Sequence, residues 1–223
     1  MLTLHHLEYS QSFRILWLLE ELGAEYEFKS YNRDPESNLA PDEYKALSPL
    51  GTAPVVTDGD LVLAESNAII DYIMDSHPES ALVPQAGSPD RARHLFWYHA
   101  SPASMMNLQG IAMILGLLEA RSPWPISSLL KSVFGQVRKL FLNPRTEALY
   151  ALMDTDLAEK PFFGGDSFTT ADITLIYSMA AARTKGAFDA YPNILAWFDR
   201  VEAIPSFQSA RAKDDRPNID FRF

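Results

Sequence analysis

The 223-residue chain contains no cysteine. That excludes disulfides, thiolate metal sites and any redox cycle run on an enzyme thiol. Positive charge is also scarce: 19 Lys and Arg stand against 29 Asp and Glu, for a formal net charge of −10. A nucleic-acid surface needs clustered cations, so no nucleic acid is expected, and "RARHLF" and "LLKSVFGQVRKLF" read as solvated helix faces. HExxH, a phosphate loop and GxSxG are all missing. The longest apolar run, "IAMILGLL" at 111–118, is too short to span a bilayer, and Gln109 and Glu119 bracket it, so no membrane is expected. The opening "MLTLHHLEYS" carries no basic n-region and no small-residue cleavage site, which points to a cytoplasmic setting. His5 and His6 are adjacent, so on a strand they face opposite ways and do not share a metal.

What is present falls into two rhythms. "LTLHH", 2–6, alternates like a short strand, and from Ser12 onward Ile15, Leu16, Leu18, Leu19 and Leu22 recur at helical spacing, with Gly23 as the stop. "YEFKSY", 26–31, reads as a second strand with Tyr26 and Phe28 on one face, so the chain opens β-α-β with a parallel pair. After a Pro-, Asn- and Asp-rich loop, Asp58-Gly59 between Val55-Val56 and Leu61-Leu63 signals a hairpin. "SNAIIDYIMDSH" is then helical, with Ser66 as its expected N-cap.

No convincing strand follows. Ser88-Pro89 is a helix start, Thr169 with Asp172 forms a capping box beside a Phe168–Ile173 staple, and "YPNILAWFDRVEAI" is amphipathic. The predicted architecture is an α/β domain over 1–78, a linker over 79–88 within "HPESALVPQAGSP", and an all-α domain over 89–223.

In this order, "SQSFRILWLLEELG", "SPLGTAPVVTDGDLVLAESNAIIDYI", "FFGGDSFTTADITL" and "YPNILAWFDRVEAIPSFQSA" resemble the cytosolic glutathione S-transferases over nearly the whole chain. The resemblance implies a thioredoxin-like N-terminal domain, an all-helical C-terminal domain and a homodimer. It implies glutathione as co-substrate with no permanently bound cofactor and no metal. The implied reaction joins the glutathione thiolate to a small apolar electrophile, with a related peroxidase activity. The alternative is a non-catalytic binding or adaptor protein on the same scaffold. A thiol–disulfide reductase is excluded by the missing cysteine.

By that resemblance the glutathione-binding set is Thr52, Ala53, Pro54, Glu65 and Ser66. Pro54 is cis in the family, with Ala53 offering its backbone to the peptide. Glu65 and Ser66 meet the γ-glutamyl group at a helix N-terminus, where an anion is favoured. Thr52 stands where many members carry lysine, leaving the glycyl carboxylate to Arg33 or to the second subunit.

The thiolate needs a stabiliser. Lowering a thiol from about 8.5 by about two units takes roughly 2.7 kcal/mol. One charge-assisted hydrogen bond supplies about 1.5–3 kcal/mol, and a helix N-terminus adds about 0.3–1. One hydroxyl before the first helix is therefore enough. Serine-type members place it four residues before the arginine that opens the helix, which is Ser10 here. Tyr9 and Ser12 remain open, Ser12 also being the natural N-cap through the backbone of Arg14 or Ile15. Phe13, Met105, Met106, Ile111 and Met113 are the candidates for the apolar substrate, since Met-rich surfaces adapt to varied ligands.

Overall fold

The structure, a computed structural model, describes residues 1–214. The last nine residues of the predicted helical domain, 215–223, lie outside the described residues.

Alternation in the opening residues gives β1 (Leu2–Leu7), which pairs in parallel with β2 (Glu27–Tyr31) across the crossover helix α1 (Ser12–Leu22). α1 stops at Gly23, whose φ of 58° is the left-handed conformation that costs glycine little. The short helix α2 (Asp42–Lys45) leads to β3 (Val55–Asp58) and β4 (Leu61–Ala64), an antiparallel hairpin turning at Gly59-Asp60. The sheet order is β2-β1-β3-β4, with β1 antiparallel to β3. Helix α3 (Ser66–Asp75) closes this thioredoxin-like unit.

Beyond α3 the regular elements of the described chain are helices, apart from an isolated Phe162–Gly165 bridge: α4 (Pro89–Ala100), α5 (Met106–Arg121), α6 (Ile126–Val137), which passes through a π-helical turn at Arg138–Leu142 into α7 (Asn143–Glu159), α8 (Thr170–Arg183), α9 (Pro192–Glu202) and α10 (Pro205–Asp214). α4 runs into α5 through a wide π-helical turn at Ser101–Met105. Pro102 is the cause: it has no N–H to offer the carbonyl of Tyr98, and its ring crowds that oxygen. Asn67 of α3 takes the freed carbonyl instead, at 3.0 Å, tying the two layers together. The continuous helix is 33 residues, long and apolar enough by length and composition to cross a membrane. Counting only uninterrupted apolar residues missed this. Only 6% of the helix's most apolar window is buried among the described residues, where α4 packs on α8 and α5 on α6.

α1 is the wedge between the layers. Trp17 is fully buried, stacks on Phe168 with ring centres 5.6 Å apart, meets Phe207 edge-on at 5.1 Å and donates to Ser206 Oγ at 3.1 Å. α8 opens with the predicted capping box of Thr169 and Asp172.

His94 on α4 supplies a pH test. Its ring is buried against Thr169 Oγ1 at 3.1 Å. Burial, aided by the charges of Arg91 and His99, lowers its pKa from 6.5 to about 4. The unfolded chain binds this proton first, so the contribution is complete above about pH 6.5 and drains away as pH falls toward about 4. Urea midpoints of a His94→Gln variant should depend less on pH across that window than those of the parent. An unchanged slope contradicts the assignment.

Candidate active site

The turn Glu8–Gln11 joins β1 to α1, and the side chains of Tyr177 and Arg33 fix it. Tyr9 adopts φ 48°, and its carbonyl accepts from the Tyr177 hydroxyl at 2.6 Å and from Arg33 Nη2 at 3.1 Å. Arg33 also donates through Nε to Glu8 O at 3.0 Å and through Nη1 to Asn38 O at 3.0 Å. Its guanidinium therefore braces the turn from three carbonyls. Burial holds its pKa below the ordinary value.

Ser10 is 6% exposed and Ser12 is fully buried. Ser10 Oγ lies 2.7 Å from Leu7 O and 2.7 Å from Ser12 Oγ, and accepts from Ser12 N–H at 3.2 Å. Ser12 Oγ accepts from Leu7 N–H at 3.2 Å and sits 3.0 Å from His6 Nδ1. Ser12 is not the helix cap. Gln11 holds that position without a side-chain cap bond, because the Ser12 hydroxyl turns back to the strand end.

Arg14 was singled out in the sequence only as a landmark. It is 1% exposed, and burial lowers its pKa from 12.5 to about 9, so it stays charged near neutrality. Nη1 donates to Gln11 Oε1 at 2.6 Å and approaches Ser66 Oγ at 3.5 Å, while Nη2 donates to Ser178 Oγ at 2.9 Å. An arginine in the first turn opposes the helix dipole, and that misfit was the available signal for a special role.

Across the turn, Glu65 is exposed and adopts φ 74°, a left-handed conformation unusual outside glycine. Ser66 is the first residue of α3 rather than its cap, since Glu65 occupies the cap position and its carbonyl accepts from Ile69 N–H at 3.0 Å. Ser66 Oγ instead donates to Gln11 Oε1 at 3.3 Å. The Ala53–Pro54 bond is cis. Thr52 is exposed, Ala53 half-buried and Pro54 buried. Lys45, which sequence reasoning did not single out, has its stem beside Gly51, where a Cβ would sit 3.7 Å from Lys45 Cβ, and its Nζ donates to Asp42 Oδ1 at 2.9 Å.

A cavity of about 690 Å³ opens beside Gln11, walled by Met106, Gln109, Met113, Leu117 and Tyr150. Two of the five expected apolar contacts, Met106 and Met113, stand in that wall. Phe13 and Met105 are core residues at 2% and 1% exposure, and Ile111 is half-buried outside the wall. Phe13 points inward from α1 against Phe207, 5.6 Å away, so it packs the helix layer. Among the described residues no cluster of three His, Asp or Glu could hold a metal.

A four-stranded thioredoxin-like sheet backed by an all-helical layer defines the class of fold. Residues 1–75 match the model of the glutathione S-transferase N-terminal domain, and residues 130–214 match that of the C-terminal domain. The chain is 31% identical over 214 residues to glutathione S-transferase 3 of Schizosaccharomyces pombe, covering 96% of this chain and 88% of the relative. It is 26% identical to glutathione S-transferase 1 of Saccharomyces cerevisiae, covering 96% and 95%. A solved glutathione S-transferase from Actinobacillus pleuropneumoniae superposes with a TM-score of 0.77 at 30% identity, with both chains fully covered. This chain belongs to the glutathione S-transferase family.

Proposed function

We propose that the chain is a serine-type transferase that joins the glutathione thiolate to a small apolar electrophile, or delivers it to a peroxide oxygen. The observation that carries this reading is Gln11. It walls the apolar cavity while bonding both Arg14 and Ser66, so the peptide corner and the cavity meet one residue from Ser10.

In this reading Glu65, exposed, accepts from the γ-glutamyl ammonium. Ser66 and the charge of Arg14 meet its carboxylate, the helix N-terminus of α3 adding to the attraction. The Ala53 backbone beside Pro54 pairs with the cysteinyl unit. Lys45, next to Gly51 and Thr52, takes the glycyl carboxylate. Ser10 is the thiolate's donor. Ser12 is fully buried among internal partners, which favours Ser10 over it. The protein contributes positioning and electrostatics, with no covalent intermediate on the enzyme. The same reading makes the protein a cytoplasmic homodimer, the assembly and compartment the resemblance implies. Exposed Leu61 and Val62 on edge strand β4, with Leu95 and Phe96 on α4, are apolar surface of the kind a second copy covers.

Retention on immobilised glutathione together with turnover of a chromogenic aryl halide is the expected result. Retention without turnover returns the adaptor reading, and loss of both removes the glutathione site. Within the active protein, Glu65→Gln should raise KM for glutathione about fivefold with kcat nearly unchanged, the exposed ion pair being worth about 1 kcal/mol. A fall in kcat at constant KM contradicts Glu65's role.

A further inference from the structure

Behind Ser10 a buried hydrogen-bonded line crosses the domain seam. Ser10 Oγ is 2.7 Å from Ser12 Oγ, Ser12 Oγ is 3.0 Å from His6 Nδ1, and His6 Nε2 is 2.8 Å from Asp214 Oδ1. Asp214 Oδ2 accepts from Arg211 at 2.8 Å. Ser12 and His6 are at most 1% exposed, and Asp214 is 8% exposed. His6 and Asp214 stand 208 positions apart, so α10 is carried back across the first domain to bring them together.

We propose that His6, held by Asp214 and reached through Ser12, receives the proton that glutathione loses at Ser10. The inference rests on Ser10 being the thiolate donor. Asp214 fixes the imidazole: Nε2–H donates to the carboxylate, which leaves the Nδ1 lone pair facing Ser12. The thiol S–H bond breaks as Ser10 Oγ takes its proton. Ser10, whose hydroxyl also donates to Leu7 O at 2.7 Å, turns its own proton to Ser12 Oγ, and Ser12, 3.2 Å from the same carbonyl, passes its own to Nδ1. Both serines end neutral, their hydroxyls now directed down the line toward sulfur. Thiol plus imidazole has become thiolate plus imidazolium, with no oxidant or reductant required. After the sulfur bonds its electrophile, the proton returns along the line to solvent or to the leaving group.

The surroundings suit a group that gains charge. From α10 His6 faces Asp214, with Arg211 beyond it, from α1 Ser12, and from β2 the neutral ring of Phe28 at 5.4 Å. The nearby Lys213–Glu20 pair at 2.6 Å is closed on itself and on the Tyr26 hydroxyl. Asp214 supplies the counter-charge for an imidazolium, which a seam of apolar residues would not. His5, one residue away, is the internal contrast. It lies on the opposite face between Tyr31 Oη at 3.0 Å and Thr57 Oγ1 at 3.1 Å, and no carboxylate among the described residues contacts its ring nitrogens. His6, Ser12 and Asp214 are thus positioning residues that act through Ser10.

The test is nitrogen NMR of the His6 ring in the whole protein, with ultraviolet absorbance of the thiolate followed in the same samples. Saturating glutathione should move both ring nitrogens to the doubly protonated range as thiolate absorbance appears. S-methylglutathione, which has no thiol proton, should leave the ring neutral. Thiolate formation with His6 still neutral overturns the inference while leaving Ser10's role intact. Absence of any bound thiolate overturns both. Ser12→Ala removes the partner of His6 Nδ1 while leaving the His6–Asp214 bond in place, and should raise the bound thiol's pKa by about one unit with glutathione affinity retained. Asp214→Asn should shift it the same way. An unchanged pKa in the folded Ser12→Ala variant contradicts the relay.

Discussion

Ser10→Ala should lower kcat/KM about 10- to 100-fold near pH 7, because it removes one charge-assisted hydrogen bond of about 1.5–3 kcal/mol from the thiolate. The loss has a shape as well as a size. The thiolate forms unaided above about pH 9, so parent and variant should converge there. The glutathione KM should hardly move, since Glu65, Ser66 and the Ala53 backbone remain. Ser10 also accepts from Ser12 N–H, so a disturbed turn is the competing explanation. A disturbed turn costs activity equally at every pH, whereas a missing thiolate donor costs it only where the thiol is protonated. Tyr9→Phe, run beside it, should leave the profile intact. A pH-independent loss, or full activity, removes Ser10 from the role.

Asp172→Ala should destabilise the fold by about 3–5 kcal/mol, a large part of the 5–15 kcal/mol typical of a folded chain. Asp172 is fully buried at the head of α8. One oxygen accepts from Phe163 N–H at 2.9 Å and Trp197 Nε1–H at 2.8 Å. The other accepts from Thr169 N–H at 2.9 Å. Truncation strands these three N–H donors, and frees the Thr169 hydroxyl that also donates at 3.3 Å, in the core, where water does not replace the carboxylate. A melting temperature lower by about 10 °C follows for a chain of this length. Asp172→Asn keeps one acceptor oxygen and should fall between. A loss under about 1 kcal/mol would mean that water reaches the site and satisfies those groups.

The elements that sequence alone made legible are those written in local chemistry. Alternation marked β1 and β2, Asp58-Gly59 marked the hairpin, Gly23 the end of α1, and Thr169 with Asp172 the start of α8. Each signal lies within a few residues of the structure it specifies. Ser66 and Ser12 show where that logic stops. Both have the residue type of a helix cap, but each hydroxyl is drawn away by a tertiary partner, Gln11 in one case and the end of β1 in the other. Phe13 and Met105 failed as cavity residues for a related reason: periodicity finds an apolar face without saying whether it meets core or cleft. The roles of Arg14 and of the His6–Asp214 pair were out of reach because partners of each lie far along the chain. Arg14 meets Ser178, and His6 meets a carboxylate on the last described helix.

The central claim is that this domain keeps a borrowed sulfur anionic, and the pKa of glutathione's thiol when bound to the unmodified protein tests it most directly. Thiolate absorbance followed against pH should titrate about two units below the free value of about 8.5. Saturable binding with a thiol that titrates at its free value would contradict it.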